Sequence, residues 1–183
     1  MNRYLVLLRG INVGGKNIIK MADLKASFEA MSFSNVQTYI QSGNVVFQSE
    51  DKDKAAVTAK IEKGLSKRFN FEAKVVVVSQ KELAAIINAA PEGFGQDDVN
   101  FRYDVIFLKE PLTPKEAMQS VKVREGVDTA HVGKQALYFS RLISRASQSY
   151  LTKIIGMPVY QTMTIRNWNT TTKLLELFSS MSS

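Results

Sequence analysis

The 183-residue chain has no cysteine, one histidine, one tryptophan and four prolines. Without cysteine there is no disulfide, thiolate metal site, redox pair or cysteine nucleophile. A single histidine excludes a His-rich metal centre and a two-histidine relay. No apolar run approaches the roughly 18–20 residues of a membrane span. Met1 to Gly10 is short, strand-like and carries Arg3 and Arg9, so no signal peptide is expected there. The expectation is a soluble cytoplasmic protein with no metal, no cofactor and no membrane partner, a monomer being favoured over an oligomer.

Acid is also missing from two long stretches. Residues 1–22 hold Arg3, Arg9, Lys16 and Lys20, and residues 129–175 hold Lys134, Arg141, Arg145, Lys153, Arg166 and Lys173, with no Asp or Glu in either. The net charge of +7 therefore sits in two blocks. Basic patches attract phosphates, and they also serve solubility alone.

What is present is a repeated pattern. Arg3–Arg9 reads as a strand, a glycine loop covers Gly10 to Lys20, and Met21, Leu24, Phe28 and Met31 recur at helical spacing. Val36–Gln41 and Asn44–Gln48 read as a hairpin around Ser42-Gly43, residues 52–69 as a helix and Lys74–Val78 as a buried strand. Ser79-Gln80-Lys81-Glu82 is a capping box opening a helix that stops at Pro91. The order then returns. Tyr103–Leu108 is a strand, Thr113-Pro114-Lys115-Glu116 a second capping box, and Val127–Val132 with Gln135–Ser140 a second hairpin. Ser147–Ile155 reads as a helix, Thr162–Ile165 as a strand and Trp168–Phe178 as a last helix. Both halves are β-α-β-β-α-β. The fold class expected is α+β, two tandem ferredoxin-like plaits, each an antiparallel sheet with helices on one face. The expected domains are 1–90 and 101–183, with 91–100 as connector.

Alternation predicts Val36, Thr38, Ile40, Val45 and Phe47 on the core face of the first hairpin, and Gln37, Tyr39, Gln41, Asn44 and Gln48 opposite. In the second, Ala130, Val132, Leu137 and Phe139 are expected in the core, with Thr129, His131, Tyr138 and Ser140 opposite. Each sheet would then show a polar face with a tyrosine. It would either meet water or its counterpart, the reading placed first, or serve as a platform for stacked bases.

Gly10-Ile11-Asn12-Val13-Gly14-Gly15-Lys16-Asn17 approaches a phosphate loop, but Asn17 replaces the hydroxyl residue and the helix starts only near Met21, so nucleotide hydrolysis is rejected. A weaker reading stands: Gly14 and Gly15 offer backbone N–H groups beside Arg9 and Lys16, a suitable seat for an anion or simply a turn needing positive φ. Topology should bring Asn12, Asn17, Tyr39, Ser42 and Asn44 to the same edge. Arg166-Asn167-Trp168-Asn169-Thr170 is the other dense segment: Asn167 or Asn169 can cap the helix and Trp168 can be a core residue, though the cluster as a set is less easily explained so. His131 reads as structural and Asp97-Asp98 as solvated.

Residues 4–17, residues 38–47 (Thr-Tyr-Ile-Gln-Ser-Gly-Asn-Val-Val-Phe) and residues 164–170 (Thr-Ile-Arg-Asn-Trp-Asn-Thr) resemble three signatures of a mainly bacterial family known only as domain of unknown function sixteen ninety-seven. The resemblance implies a cytoplasmic protein of two ferredoxin-like halves and assigns no activity. From residue chemistry, the function expected is binding of an anionic partner, nucleic acid or a phosphorylated small molecule, by the basic glycine loop. The candidates are Arg9, Asn12, Gly14, Gly15, Lys16, Asn17, Tyr39, Ser42, Asn44, Arg166, Asn167 and Trp168. The alternatives are a metal-independent enzyme on a phosphorylated or carboxylated substrate and a protein-interaction module.

Overall fold

The strands of each half assemble into one antiparallel sheet of the same order. The computed structural model describes residues 1–181. In the first half β1 (Asn2–Leu8), α1 (Met21–Ala30), β2 (Ser34–Tyr39), β3 (Asn44–Ser49), α2 (Lys54–Phe69) and β4 (Val75–Ser79) give the sheet β2-β3-β1-β4. α3 (Gln80–Asn88) follows. In the second half β5 (Phe101–Leu108), α4 (Pro114–Met118), β6 (Asp128–Val132), β7 (Ala136–Leu142) and β8 (Met163–Asn167) give β6-β7-β5-β8, and α5 (Trp168–Ser180) is the last element among the described residues. The protein is thus α+β, with two tandem ferredoxin-like plaits.

The compact units divide ahead of the 91–100 segment. One comprises Met1–Leu83 and the chain from Leu174 on, and the other Ala84–Lys173. Phe94 and Gly95, within the segment read as a connector, pack into the second unit against Tyr103, Tyr138 and Trp168.

In the first unit Tyr4, Val6, Leu8, Val45, Phe47, Val75 and Val77 meet Leu24 and Phe28 of α1 and Val57, Ile61 and Leu65 of α2. The spacing of the helical residues gives each helix one apolar stripe, which the sheet covers. Asp53 caps α2 by accepting from the N–H groups of Ala55 and Ala56. The opposite face is not the polar face expected from alternation along the hairpin. Leu5, Leu7, Val46, Val76 and Val78 are buried there, and so are Asn44 and Gln48. Arg3, on the same face, donates to the carbonyls of Phe178 and Met181 at 3.1 Å each, so the end of α5 lies against it. The hairpin alternates in sequence apart from Val46; the central strand β1 and the valine run of β4 make its second face apolar. Ile40 falls beyond the end of β2, at φ 47°, and is exposed rather than core.

The second unit packs Ile106, Leu137, Phe139 and Met163 against Ala117, Leu151 and Ile154. Val132, at the end of edge strand β6, is exposed instead of core. Tyr138 is 1% exposed and donates its hydroxyl to the Ile86 carbonyl of α3 at 2.6 Å, so it offers no stacking surface. The helix expected over Ser147–Ile155 is replaced by three 3-10 segments, Ile143–Gln148, Leu151–Ile154 and Pro158–Thr162.

Both capping boxes form. At the start of α3, Ser79 N–H donates to Glu82 at 2.7 Å and Glu82 N–H to Ser79 Oγ at 3.2 Å. Glu82 also pairs with Lys54 at 2.6 Å. Burial raises the Glu82 pKa, but the hydrogen bonds from Lys54 and Ser79 outweigh it and hold the carboxyl below the ordinary range. A depressed carboxylate stabilises the fold above its unfolded pKa and loses that contribution as pH falls through the folded value. Glu82→Gln is therefore expected to cost about 1–2 kcal/mol at neutral pH. The difference from the parent protein should shrink well below about pH 4, as urea unfolding at the two pH values will show.

Candidate functional site

The glycine loop is a small hairpin of its own. Val13 and Lys16 form an antiparallel bridge, with Lys16 N–H donating to the Val13 carbonyl at 3.1 Å. Gly14 and Gly15 between them have φ of 58° and 74°. Two consecutive positive φ values define a type I′ turn, a geometry that favours glycine at both places. The N–H groups of Gly14 and Gly15 make no hydrogen bond among the described residues. Both glycines are exposed, with open space where a Cβ would stand.

Two asparagines brace this turn. Asn12 donates to the carbonyls of Ile19 at 3.1 Å and Gln41 at 2.8 Å, and accepts from Ile19 N–H at 2.8 Å. Asn17 donates to the Gly10 carbonyl at 3.0 Å. Both sit at positive φ, which asparagine tolerates better than most residues. Asn12 thereby ties the loop to the hairpin turn thirty residues on. A second tie is the Leu8 N–H, which donates to the Gly43 carbonyl at 2.8 Å. Within that turn the buried Asn44 donates to the Tyr39 carbonyl and to Ser42 Oγ, both at 2.9 Å. The structure does bring the two segments to one edge of the sheet.

The candidate residues in this unit thus divide by role. Asn12, Asn17, Ser42 and Asn44 hold backbone to backbone, Arg9 and Tyr39 are half-buried, and Gly14, Gly15 and Lys16 face solvent. Val13 and Ile18 flank them, 66% and 75% exposed. The Lys16 ammonium makes no hydrogen bond or ion pair among the described residues.

Arg166, Asn167 and Trp168 belong to the second unit. Arg166 is buried and donates to Thr164 Oγ1 at 2.7 Å and the Ile165 carbonyl at 3.0 Å. Burial lowers its pKa to about 10, with Tyr160 pulling the other way, so it remains charged at neutral pH. Asn167 accepts from Asn169 N–H at 2.9 Å, capping α5, and donates to the Tyr103 carbonyl at 3.3 Å. Trp168 meets Phe94 edge-on, centroids 5.1 Å apart and planes at 88°.

Sequence reasoning missed Phe94, Gly95, Phe101, Arg102 and Tyr103, which surround this tryptophan. All of these but Phe94, which packs behind the tryptophan, line with Asp98, Asn167, Trp168 and Asn169 an open cavity of about 280 Å3. The available signal was the aromatic alternation of Phe101 and Tyr103 at the head of β5. Asp104, two residues past Arg102 on the same strand face, is buried. Burial raises its pKa, against the pull of Arg141, 3.6 Å away, and then Arg102. Asp97 is not simply solvated, because it accepts from both the N–H and the side chain of Asn100. Among the described residues no group of three His, Asp or Glu side chains could hold a metal, and no helix is long and apolar enough to cross a membrane.

A family model described as "Protein of unknown function (DUF1697)" matches residues 1–138, which include the first two of the three signatures. A solved structure, that of conserved bacterial protein SP0830 from Streptococcus pneumoniae, is similar with a TM-score of 0.84. It is 28% identical, over 98% of this chain and 99% of that one. No curated protein matches.

Proposed function

The chain belongs to the DUF1697 family of proteins of unknown function, and from that premise we propose that its first unit binds a phosphate-bearing partner on the glycine loop. The observation that carries this reading is the turn itself: two adjacent glycine N–H groups that meet no acceptor among the described residues, next to the Lys16 ammonium, which meets no partner among them either, in a stretch with no acid. Backbone donors of this kind bind anions without a side chain in the way. The asparagine braces support the reading further, since a seat held by its own hydrogen bonds loses less entropy on binding. A strand of nucleic acid and a phosphorylated small molecule share this chemistry.

The test is an affinity measurement at two salt concentrations with short RNA and DNA strands and with phosphosugars. For a nucleic acid, affinity should fall steeply between about 50 and 200 mM salt. Lys16→Glu should weaken the bound class by about ten-fold or more, in line with the loss of a charge-assisted contact. Binding that Lys16→Glu leaves unchanged, or no binding of any member at low salt, contradicts the proposal.

A further inference from the structure

The cavity beside Trp168 lies wholly in the second unit and owes nothing to the glycine loop. At about 280 Å3 it stands just under the ~300 Å3 at which small-ligand sites begin, enough for one compact molecule. Three features of its lining restrict what that molecule is.

The first is a fixed aromatic wall. Phe94 holds the Trp168 ring edge-on, and Gly95 lies so close to the indole nitrogen that a Cβ there would come within 2.2 Å of it. Phe101 continues the lining, with its ring 6.2 Å from that of Tyr103. Flat heteroaromatic rings stack on such walls. The second is Arg102, exposed, whose guanidinium makes no hydrogen bond among the described residues. Its planar fork suits phosphate or carboxylate oxygens. The third is a pair of acceptors, the Asp98 carboxylate and the Asn169 side-chain amide, which also make no hydrogen bond among the described residues. A carboxylate repels a bare phosphate or sulfate, so the ligand must carry donors as well as negative charge.

A ring with exocyclic amine donors, joined to a phosphate, meets all three requirements. We propose that this cavity binds a single nucleotide, either free or as the end of a strand, with the base against Trp168, its amine edge toward Asp98 and Asn169, and the phosphate on Arg102. Because the residues differ from those of the glycine loop, this site stands or falls apart from the first proposal.

Trp168 is the only tryptophan in the chain, so its fluorescence reports on this cavity alone. The experiment titrates the full-length protein with adenosine 5′-monophosphate, reading tryptophan emission and heat. The expected result is a saturable change with a dissociation constant below about 1 mM. Adenosine and ribose 5-phosphate should each bind more weakly. Arg102→Gln, a surface change, should raise the constant by about ten-fold or more with the protein still folded by circular dichroism, while Lys16→Glu leaves it as it was. A 5′-phosphorylated trinucleotide that binds more tightly than the mononucleotide identifies the strand end as the ligand, and equal or weaker binding identifies the free nucleotide. No emission change and no heat, ribose 5-phosphate binding as well as the mononucleotide, or an Arg102→Gln variant that binds like the parent would each overturn the proposal.

Discussion

Gly43→Ala should destabilise the protein by about 3 kcal/mol, combining a left-handed backbone cost of about 1–2 kcal/mol with overpacking worth about 1–3 kcal/mol. Gly43 is buried at φ 79°, in the turn that follows β2. A Cβ added there would lie 2.6 Å from Ile11 Cδ1 and 2.8 Å from Leu8 Cβ. The Leu8 contact is to a Cβ fixed by the central strand, so relief requires movement of backbone. Ile11 belongs to the glycine loop and is itself 1% exposed. The substitution therefore strikes the joint between loop and turn, and anion binding on the loop should weaken with it. Urea unfolding followed by circular dichroism measures the first effect. A loss below about 1 kcal/mol, within the ordinary range for point substitutions, would show that the two segments are not packed as described.

Gly95→Ala is the counterpart in the second unit. Its φ is 83°, and the new Cβ would stand 2.2 Å from Trp168 Nε1 and 2.4 Å from Cδ1. The indole must shift, and its edge-on contact with Phe94 at 5.1 Å shifts with it. The ring can yield more easily than a strand backbone, so the expected cost is about 2–3 kcal/mol, from φ and displaced packing together. A change in tryptophan emission should accompany the loss, because the indole environment changes directly. Unchanged emission with unchanged stability would mean that Gly95 does not abut the ring.

The features legible in the sequence were those set by local chemistry. Both capping boxes, the two hairpins, the glycine turn and the shared β-α-β-β-α-β order depend on residues a few positions apart. The features that were not legible depend on distant partners. Leu151 and Ile154 have the spacing of a buried helical face, and both are buried. Yet Tyr150 N–H, which a continuous helix would give to the carbonyl of Ala146, donates instead to Asp128 at 2.8 Å. With Gly156 and Pro158 close behind, only short 3-10 segments form. Likewise the second face of the first sheet reads as polar along the hairpin and is buried because Leu5, Leu7 and the β4 valines share it.

The candidate site was half legible. The glycine loop and the turn after β2 were expected at one edge, and Asn12 joins them. The asparagines were read as possible ligand contacts; their hydrogen bonds show that they shape the backbone. Arg166 was read with them and proves buried, because its alternation places it beside Thr164 on a covered face of β8. The cavity around Trp168 could not be read at all, since it needs the segment before β5 to fold back onto the head of α5.

The central claim, that Gly14 and Gly15 with Lys16 form an anion seat, is tested most directly by amide NMR. In a titration with inorganic phosphate and then with a short phosphorylated strand, the N–H signals of Gly14 and Gly15 should move most and saturate together, and Lys16→Glu should abolish the movement. Signals that stay in place at these two glycines while others in the chain respond would contradict it.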